Sequence, residues 1–283
     1  MPNADHALLR QLSANSLRYR DPVAAIDWTQ LDTASFWLPE PALSLYGLPE
    51  FDTLALEVRQ RLSQYEFINV MHAGLWLERV FMQRLSRRLS AALPRAAYEY
   101  FLHEMREEAG HSLMFLRAIE AGGLEVPAAA WQPPRVADWL ARKAPARGAL
   151  FWAATVIAED VPDKFNRYLR AAAGINPAVR EVCTVHCIDE ARHIAAARAQ
   201  LETALQRLPQ AALRLLNPLV RLLFRQYAQV FYVPPAAFYE FAGLTHGGRW
   251  RRLARGNAGH QAFISERLAP TVRMLEGYGF NLQ

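Results

Sequence analysis

The sequence predicts an all-α protein: a four-helix bundle core with additional helices at both ends. Three observations carry that expectation. Apolar residues recur at intervals of three and four over long stretches, no segment alternates polar and apolar residues as a half-buried strand would, and glycine or proline marks each point where one helical pattern gives way to the next. The chain has 283 residues, 52% of them apolar, enough to bury one large core. Residues 1–283 therefore read as a single domain with no internal repeat.

Residues 1–55 carry Trp28, Trp37, Pro39, Pro41 and Pro49 in an irregular pattern, the mark of an N-terminal arm with short helices laid over the core. From about Asp52 a long helix begins, and its spacing puts Phe67, Met71, Gly74, Glu78, Phe81 and Leu85 on one face. Pro94 closes the connection to a second helix over about 95–121, with Phe101, Met105, Glu108, Ser112, Phe115 and Ile119 in register; it stops at Gly122-Gly123. The stretch 123–147 holds Pro127, Pro133, Pro134 and Pro145, too many for one helix, and reads as a crossover spanning the bundle. A third helix is expected over about 148–173, kinked at Pro162 and stopped by Gly174, and a fourth from Pro177 to about Arg207. Segments 209–231, with a break or kink at Pro218, 235–244 and 257–278 are expected to pack outside these four. The domain thus divides into an arm (1–55), a four-helix core (56–207) and helices covering the core (208–283).

Composition narrows the function. The formal charge of +5 comes almost wholly from arginine, since Lys143 and Lys164 are the only lysines, and the arginines are scattered apart from the run Arg249 to Arg255. That distribution suits a solvated basic face rather than a nucleic-acid footprint. No stretch of 18 residues is free of charge and the N-terminus lacks a secretory apolar run, so neither a membrane span nor export is expected. Cys183 and Cys187, the only cysteines, stand four apart on one helix, where a bridge is disfavoured. These points together predict a cytoplasmic protein.

The chemistry lies in a repeated spacing. Glu108-Ala109-Gly110-His111 on helix two and Glu190-Ala191-Arg192-His193 on helix four each put a carboxylate and an imidazole on one face, since residues three apart are helical neighbours. In bundle di-iron sites each remaining helix adds one glutamate. Helix one offers Glu78 and helix three offers Glu159, both acids on apolar faces, and the intervals match: Glu78 lies 30 residues before Glu108, Glu159 lies 31 before Glu190. Burying either alone would cost several kcal/mol, which a cation removes. Glu66, also on helix one, is the competing acid, although it lies off the apolar stripe. His186, four before Glu190 and seven before His193, completes a ligand set of Glu78, Glu108, His111, Glu159, His186, Glu190 and His193. Three imidazoles suit iron better than magnesium or calcium. Glu107, Asp189 and Arg192 are expected just behind the ligands, where a carboxylate can accept the free ring N–H of a histidine on the facing helix. Glu107 shares its own face with Tyr100, His103 and Glu104, so Glu108 is taken as the inward acid.

These residues, with the third histidine at that place, resemble the p-aminobenzoate N-oxygenase family of ferritin-like non-haem di-iron oxygenases, over about residues 56–200. The resemblance implies a homodimer with two iron ions that uses O2 to oxygenate the nitrogen of a primary amine, giving hydroxylamine, nitroso or nitro products. Manganese in place of one iron suits the same donors. No Gly-x-Gly-x-x-Gly fingerprint is present, so a separate reductase or ferredoxin is expected to supply electrons. Alternatives within the fold are a di-iron hydroxylase or desaturase acting at carbon, and a ferritin-like protein that oxidises or stores iron. The long N- and C-terminal additions favour a covered substrate pocket over storage. Arg221 and Arg225, four apart on an apolar segment, are the candidates for holding a substrate carboxylate, and Tyr227, Tyr232 and Tyr239 for lining the cavity.

Overall fold

A computed structural model describes residues 3–124 and 126–282, with the side chains of 3–5 left aside, and among these residues every regular element is helical. The arm begins with α1 (Asn3–Ser16) and ends with the short α2 (Pro49–Asp52). The bundle follows as two hairpins, α3 (Leu56–Ser86) with α4 (Arg95–Gly122), then α6 (Ala149–Ala171) with α7 (Pro177–Leu205), joined by a crossover that contains α5 (Arg135–Lys143). The cover consists of α8 (Gln210–Tyr232), α9 (Ala236–Phe241), α10 (Gly247–Gly256) and α11 (Ala258–Gly277). Among the described residues, no helix is long and apolar enough to cross a membrane.

The helix ends follow local chemistry. Asn176 caps α7 by accepting from the backbone N–H groups of Ala178 and Val179, with Pro177 at the first helical position. Gly123 ends α4 at φ +61°, a left-handed conformation that a Cβ would strain. The same Asn176 side chain donates to the Gln30 carbonyl at 2.8 Å, and its backbone N–H to the Phe36 carbonyl at 2.8 Å, so the arm is tied to the start of α7. Trp37 is fully buried in that arm, and its backbone N–H donates to Ser63 on α3.

Three details depart from the sequence reading. The crossover is proline-interrupted as expected but still forms α5, with Arg142 donating to Asp138 one turn back. α6 runs through Pro162 as expected, and α8 continues through Pro218 without the break considered there, because one missing N–H removes a single bond from a long, packed element. The basic run at Arg249 to Arg255 lies on a helix, α10, whose Trp250 and Ala254 are buried while Arg249 stays solvated.

Packing positions the site. α8 lies across α3 and α6, α11 on α6, α9 on α3, and α1 on α4 and α7, so the middle of the bundle is covered on all sides. This explains why α3 is buried all round from Leu62 to Leu77, apart from the half-buried His72 and Leu75, and not along one stripe. α3 and α4 approach closely at Gly74, where a Cβ would come within 2.5 Å of the Phe115 ring.

Candidate metal centre

Seven donors meet in the buried middle of the bundle, each brought there by its helical register. Two groups of donor atoms lie within 4.8 Å of one another: Glu78, His111, His186 and Glu190 form one, and Glu108, His111, Glu190 and His193 the other. Glu190 and His111 belong to both, so the groups share an edge. Nδ1 of His111 lies 3.1 Å from Glu108 and 3.4 Å from Glu190; Nδ1 of His193 lies 3.0 Å from Glu108 and 3.6 Å from Glu190. Nε2 of His186 lies 3.3 Å from Glu190 and 3.8 Å from Glu78. Glu159 stands outside the two tight groups but in the same pocket. It abuts Glu190, carboxyl to carboxyl, as Glu78 abuts Glu108, and it lines one small cavity with Glu78 and His186.

Behind these donors the bracing is crossed. The outward Nε2 of His111 on α4 meets Asp189 on α7 at 3.2 Å, and the outward Nε2 of His193 on α7 meets Glu107 on α4 at 2.9 Å. Arg192 ties the two braces together, its guanidinium contacting Glu107 at 3.1 Å and Asp189 on its other side. The outward Nδ1 of His186 meets the amide of Asn166 on α6 at 2.9 Å. Each imidazole thus turns one nitrogen toward the carboxylates and keeps the other against a fixed partner, which sets ring orientation and tautomer.

Electrostatics show what this pocket lacks. Burial, then the charges of neighbouring glutamates, pushes the Glu78 and Glu159 carboxyls well above the ordinary carboxylate range. Burial acts on Glu108 and Glu190 too, but imidazoles overcome it, His193 and His111 for the first and His186 and His193 for the second, and hold both low. Burial opposes protonation of His111, yet Asp189 and Glu108 raise it to about 9, whereas burial lowers His186 to about 4. Both oxygens of Glu190, one of Glu108, Nε2 of His186 and Nδ1 of His193 are buried without a hydrogen-bond partner. Orphaned acceptors and ring nitrogens converging on shared points are costly for a protein alone and suited to cations. Four carboxylates and three imidazoles fit a pair of transition-metal ions, and fit magnesium or calcium poorly.

The structure also bears on the remaining sequence expectations, some kept and some changed. Glu66 is buried but turned away from the metal donors. It accepts the backbone N–H of Ser44 at 3.0 Å and the Ser44 hydroxyl at 2.5 Å, while Tyr239 meets that hydroxyl at 2.9 Å; Glu78 is therefore the helix-one acid in the pocket. The face of Glu107, Glu104 and Tyr100 is not outward: all three are buried, because α4 packs against α1 and α7 as well as α3. Arg225 lines a groove of about 770 Å³ between α8 and α11, and neither it nor Arg221 lines the two small cavities beside the donors, since both lie around α8 from Tyr227 and Phe231, which do. Of the three tyrosines, Tyr227 lines a cavity with Glu159, whereas Tyr232 packs on Phe165 and Tyr239 on Ser44. Asn166 and Glu104 were not anticipated. Their signal was register, seven residues after Glu159 and four before Glu108.

Comparison with known proteins extends the picture. The family model described as p-aminobenzoate N-oxygenase AurF matches residues 2–279, well beyond the bundle and nearly the whole chain. An uncharacterized protein of Mycobacterium bovis and one of Mycobacterium tuberculosis are each 27% identical over 246 residues, covering 82% of this chain and 71% of theirs. Among solved structures, a single-site mutant of an R2-like ligand-binding oxidase with an anaerobically reconstituted Mn/Fe cofactor aligns with a TM-score of 0.53 at 15% identity, covering 97% of this chain and 94% of that one. An R2-like ligand-binding oxidase with an aerobically reconstituted Mn/Fe cofactor aligns with a TM-score of 0.51 at 14% identity over 99% and 93%. At such identities the likeness speaks for the ferritin-like fold. The family match over almost every residue goes further: the chain belongs to the p-aminobenzoate N-oxygenase AurF family and is a di-metal oxidoreductase of the oxygenase class.

Proposed function

We propose that this protein is an O2-dependent di-iron N-oxygenase that converts a primary amine to its hydroxylamine, nitroso or nitro product. The observation that carries the reading is the third histidine. His186 joins the doubled Glu-x-x-His pairs around one buried pocket, in a chain that matches the family model over residues 2–279. Bound iron would supply the redox chemistry with O2 that side chains lack. The chain's own part is to hold and enclose: Glu78, Glu108, Glu159 and Glu190 with the three histidines grip the ions, and Glu107, Asp189 and Arg192 keep two rings fixed.

The lining beside the donors supports an apolar amine. Val70, Met71, Leu77, Phe115 and Phe231 border one cavity, and Phe81, Phe151 and Tyr227 the other, with Glu159, Leu77 and Ala158 common to both. Among the described residues no lysine or arginine lines either, so a substrate carboxylate has no cationic partner there. Pro162 has no N–H, which deprives the Ala158 carbonyl of its usual helical partner at the cavity wall, an acceptor for an amine N–H beside Glu159. The cavities hold only about 10 and 30 Å³ of free space, so substrate binding requires these side chains to part. We assign electron supply to an external reductase or ferredoxin and the working state to a homodimer.

Protein loaded with ferrous iron without oxygen, then given reductant, O2 and a panel of aryl and alkyl amines, tests the reading by mass spectrometry. Products heavier by oxygen at nitrogen are expected, with apolar arylamines ahead of aminobenzoates. O2 consumption with no amine oxidised, or oxygen inserted only at carbon, would overturn it.

A further inference from the structure

The three histidines are braced unequally. His111 and His193 rest on carboxylates, Asp189 and Glu107, whereas His186 rests on a neutral amide, Asn166. A carboxylate has one role in such a contact, to accept a ring N–H. An amide has two, because it carries both a donor NH2 and an acceptor oxygen.

The side chain as placed turns its Nδ2 toward Nδ1 of His186 at 2.9 Å. A donor facing Nδ1 requires a lone pair there, which puts the ring proton on Nε2, the nitrogen that faces Glu190 and Glu78. A protonated Nε2 cannot ligate. Half a turn of the amide brings its oxygen to Nδ1, fixes the proton there, and frees the Nε2 lone pair for an ion shared with Glu78 and Glu190. Asn166 is buried, lines the same cavity, and sits two turns along α6 from Glu159, so it can turn without leaving its contact.

We infer that Asn166 is a positioning residue that selects between two tautomers of His186: its amide nitrogen favours the Nε2–H form, which cannot ligate, and its amide oxygen the ligating form. This rests on the di-metal reading of the site. A consequence is asymmetry. An amide acceptor makes its imidazole a weaker base than a carboxylate does. The Glu78–His186 half therefore fills last and empties first, behind the Glu108–His193 half.

The test counts ions. Metal-free wild-type protein and the variants Asn166→Leu, Asn166→Asp and His186→Ala are titrated with Co(II) under nitrogen, following stoichiometry and the visible ligand-field bands, with circular dichroism of each metal-free chain as the check on folding. Two stepwise events are expected in the wild type. Asn166→Leu should weaken the second by ~10–100-fold and leave the first in place, and Asn166→Asp should restore it. Combining Asn166→Leu with His186→Ala should cost no more than His186→Ala alone. Wild-type behaviour in folded Asn166→Leu, or failure of folded Asn166→Asp to restore the second event, overturns this inference and spares the di-metal reading. A wild-type chain that binds no pair of ions overturns both.

Discussion

The α4–α7 side of the site and its α3–α6 side are built on different principles. On the first, Glu107, Glu108, Asp189 and Glu190 each have an imidazole or guanidinium against them, and the bracing crosses between helices. On the second, Glu78 and Glu159 face other carboxylates and an apolar cavity, with burial holding them above the usual carboxylate range. The first side is braced by its own charges yet still carries unpartnered donor atoms on Glu108, Glu190 and His193, and the second has no such bracing for its acids. The difference teaches where the bracing lies: it joins α4 to α7, while the apolar cavities beside the donors are lined from α3, α6 and α8.

The largest expected effect comes from breaking what both halves share. Glu190→Ala removes a donor common to the two groups and should weaken binding of both ions beyond the ~100-fold upper end of what loss of an outer partner costs, as read by metal analysis after dialysis. Glu107→Ala and Asp189→Ala touch only the bracing, and each should lower affinity by ~10–100-fold while the metal-free fold holds. Equal losses in these two variants would support the crossed symmetry of the braces, and a loss in one alone would break it.

Stability against pH sharpens the contrast between acids that wait for cations and one that does not. Glu66 is pushed up to about 8 by burial, with the Ser44 hydrogen bonds opposing. Between its ordinary value of 4.5 and about 8 the folded chain binds more protons than the unfolded one, so stability falls as pH rises through that window. Glu66→Gln should remove up to about 5 kcal/mol of that fall, measured by denaturant midpoints from about pH 4 to pH 9. Glu78 and Glu159 contribute a slope of the same sign, which metal loading should abolish while the Glu66 slope persists. A smaller effect is expected at the hairpin contact: Gly74→Ala would press a Cβ on the Phe115 ring and cost about 1–3 kcal/mol. Least of all, Arg117→Ala should change stability by less than about 0.5 kcal/mol, since its pair with Glu120 is solvent-exposed.

The bundle was legible because 3.6-residue periodicity and proline or glycine stops need no tertiary information, and such residues stand at both ends of α4 and at the starts of α6 and α7. The doubled Glu-x-x-His was legible for the same reason, as i and i+3 always share a face. What escaped was whatever depends on neighbours. The full burial of Glu107, Glu104 and Tyr100 could not be read from α4 alone, because α1 and α7 supply the cover. The burial of Glu66 depends on Ser44 in the arm, and α10 was masked by arginines whose intervening Trp250 and Ala254 point inward. Arg221 and Arg225 looked poised for substrate because a helical wheel shows which residues are polar but not which flank of α8 meets the cavity.

The crossed bracing also bears on how the chain assembles. Because the acids that steady His111 and His193 each belong to the opposite hairpin, neither of those two rings is braced until the hairpins dock, whereas His186 is braced by Asn166 within its own hairpin. A slip of α7 along α4 by one turn would misplace both rings at once, so correct docking of the hairpins and full bracing of these two ligands come together.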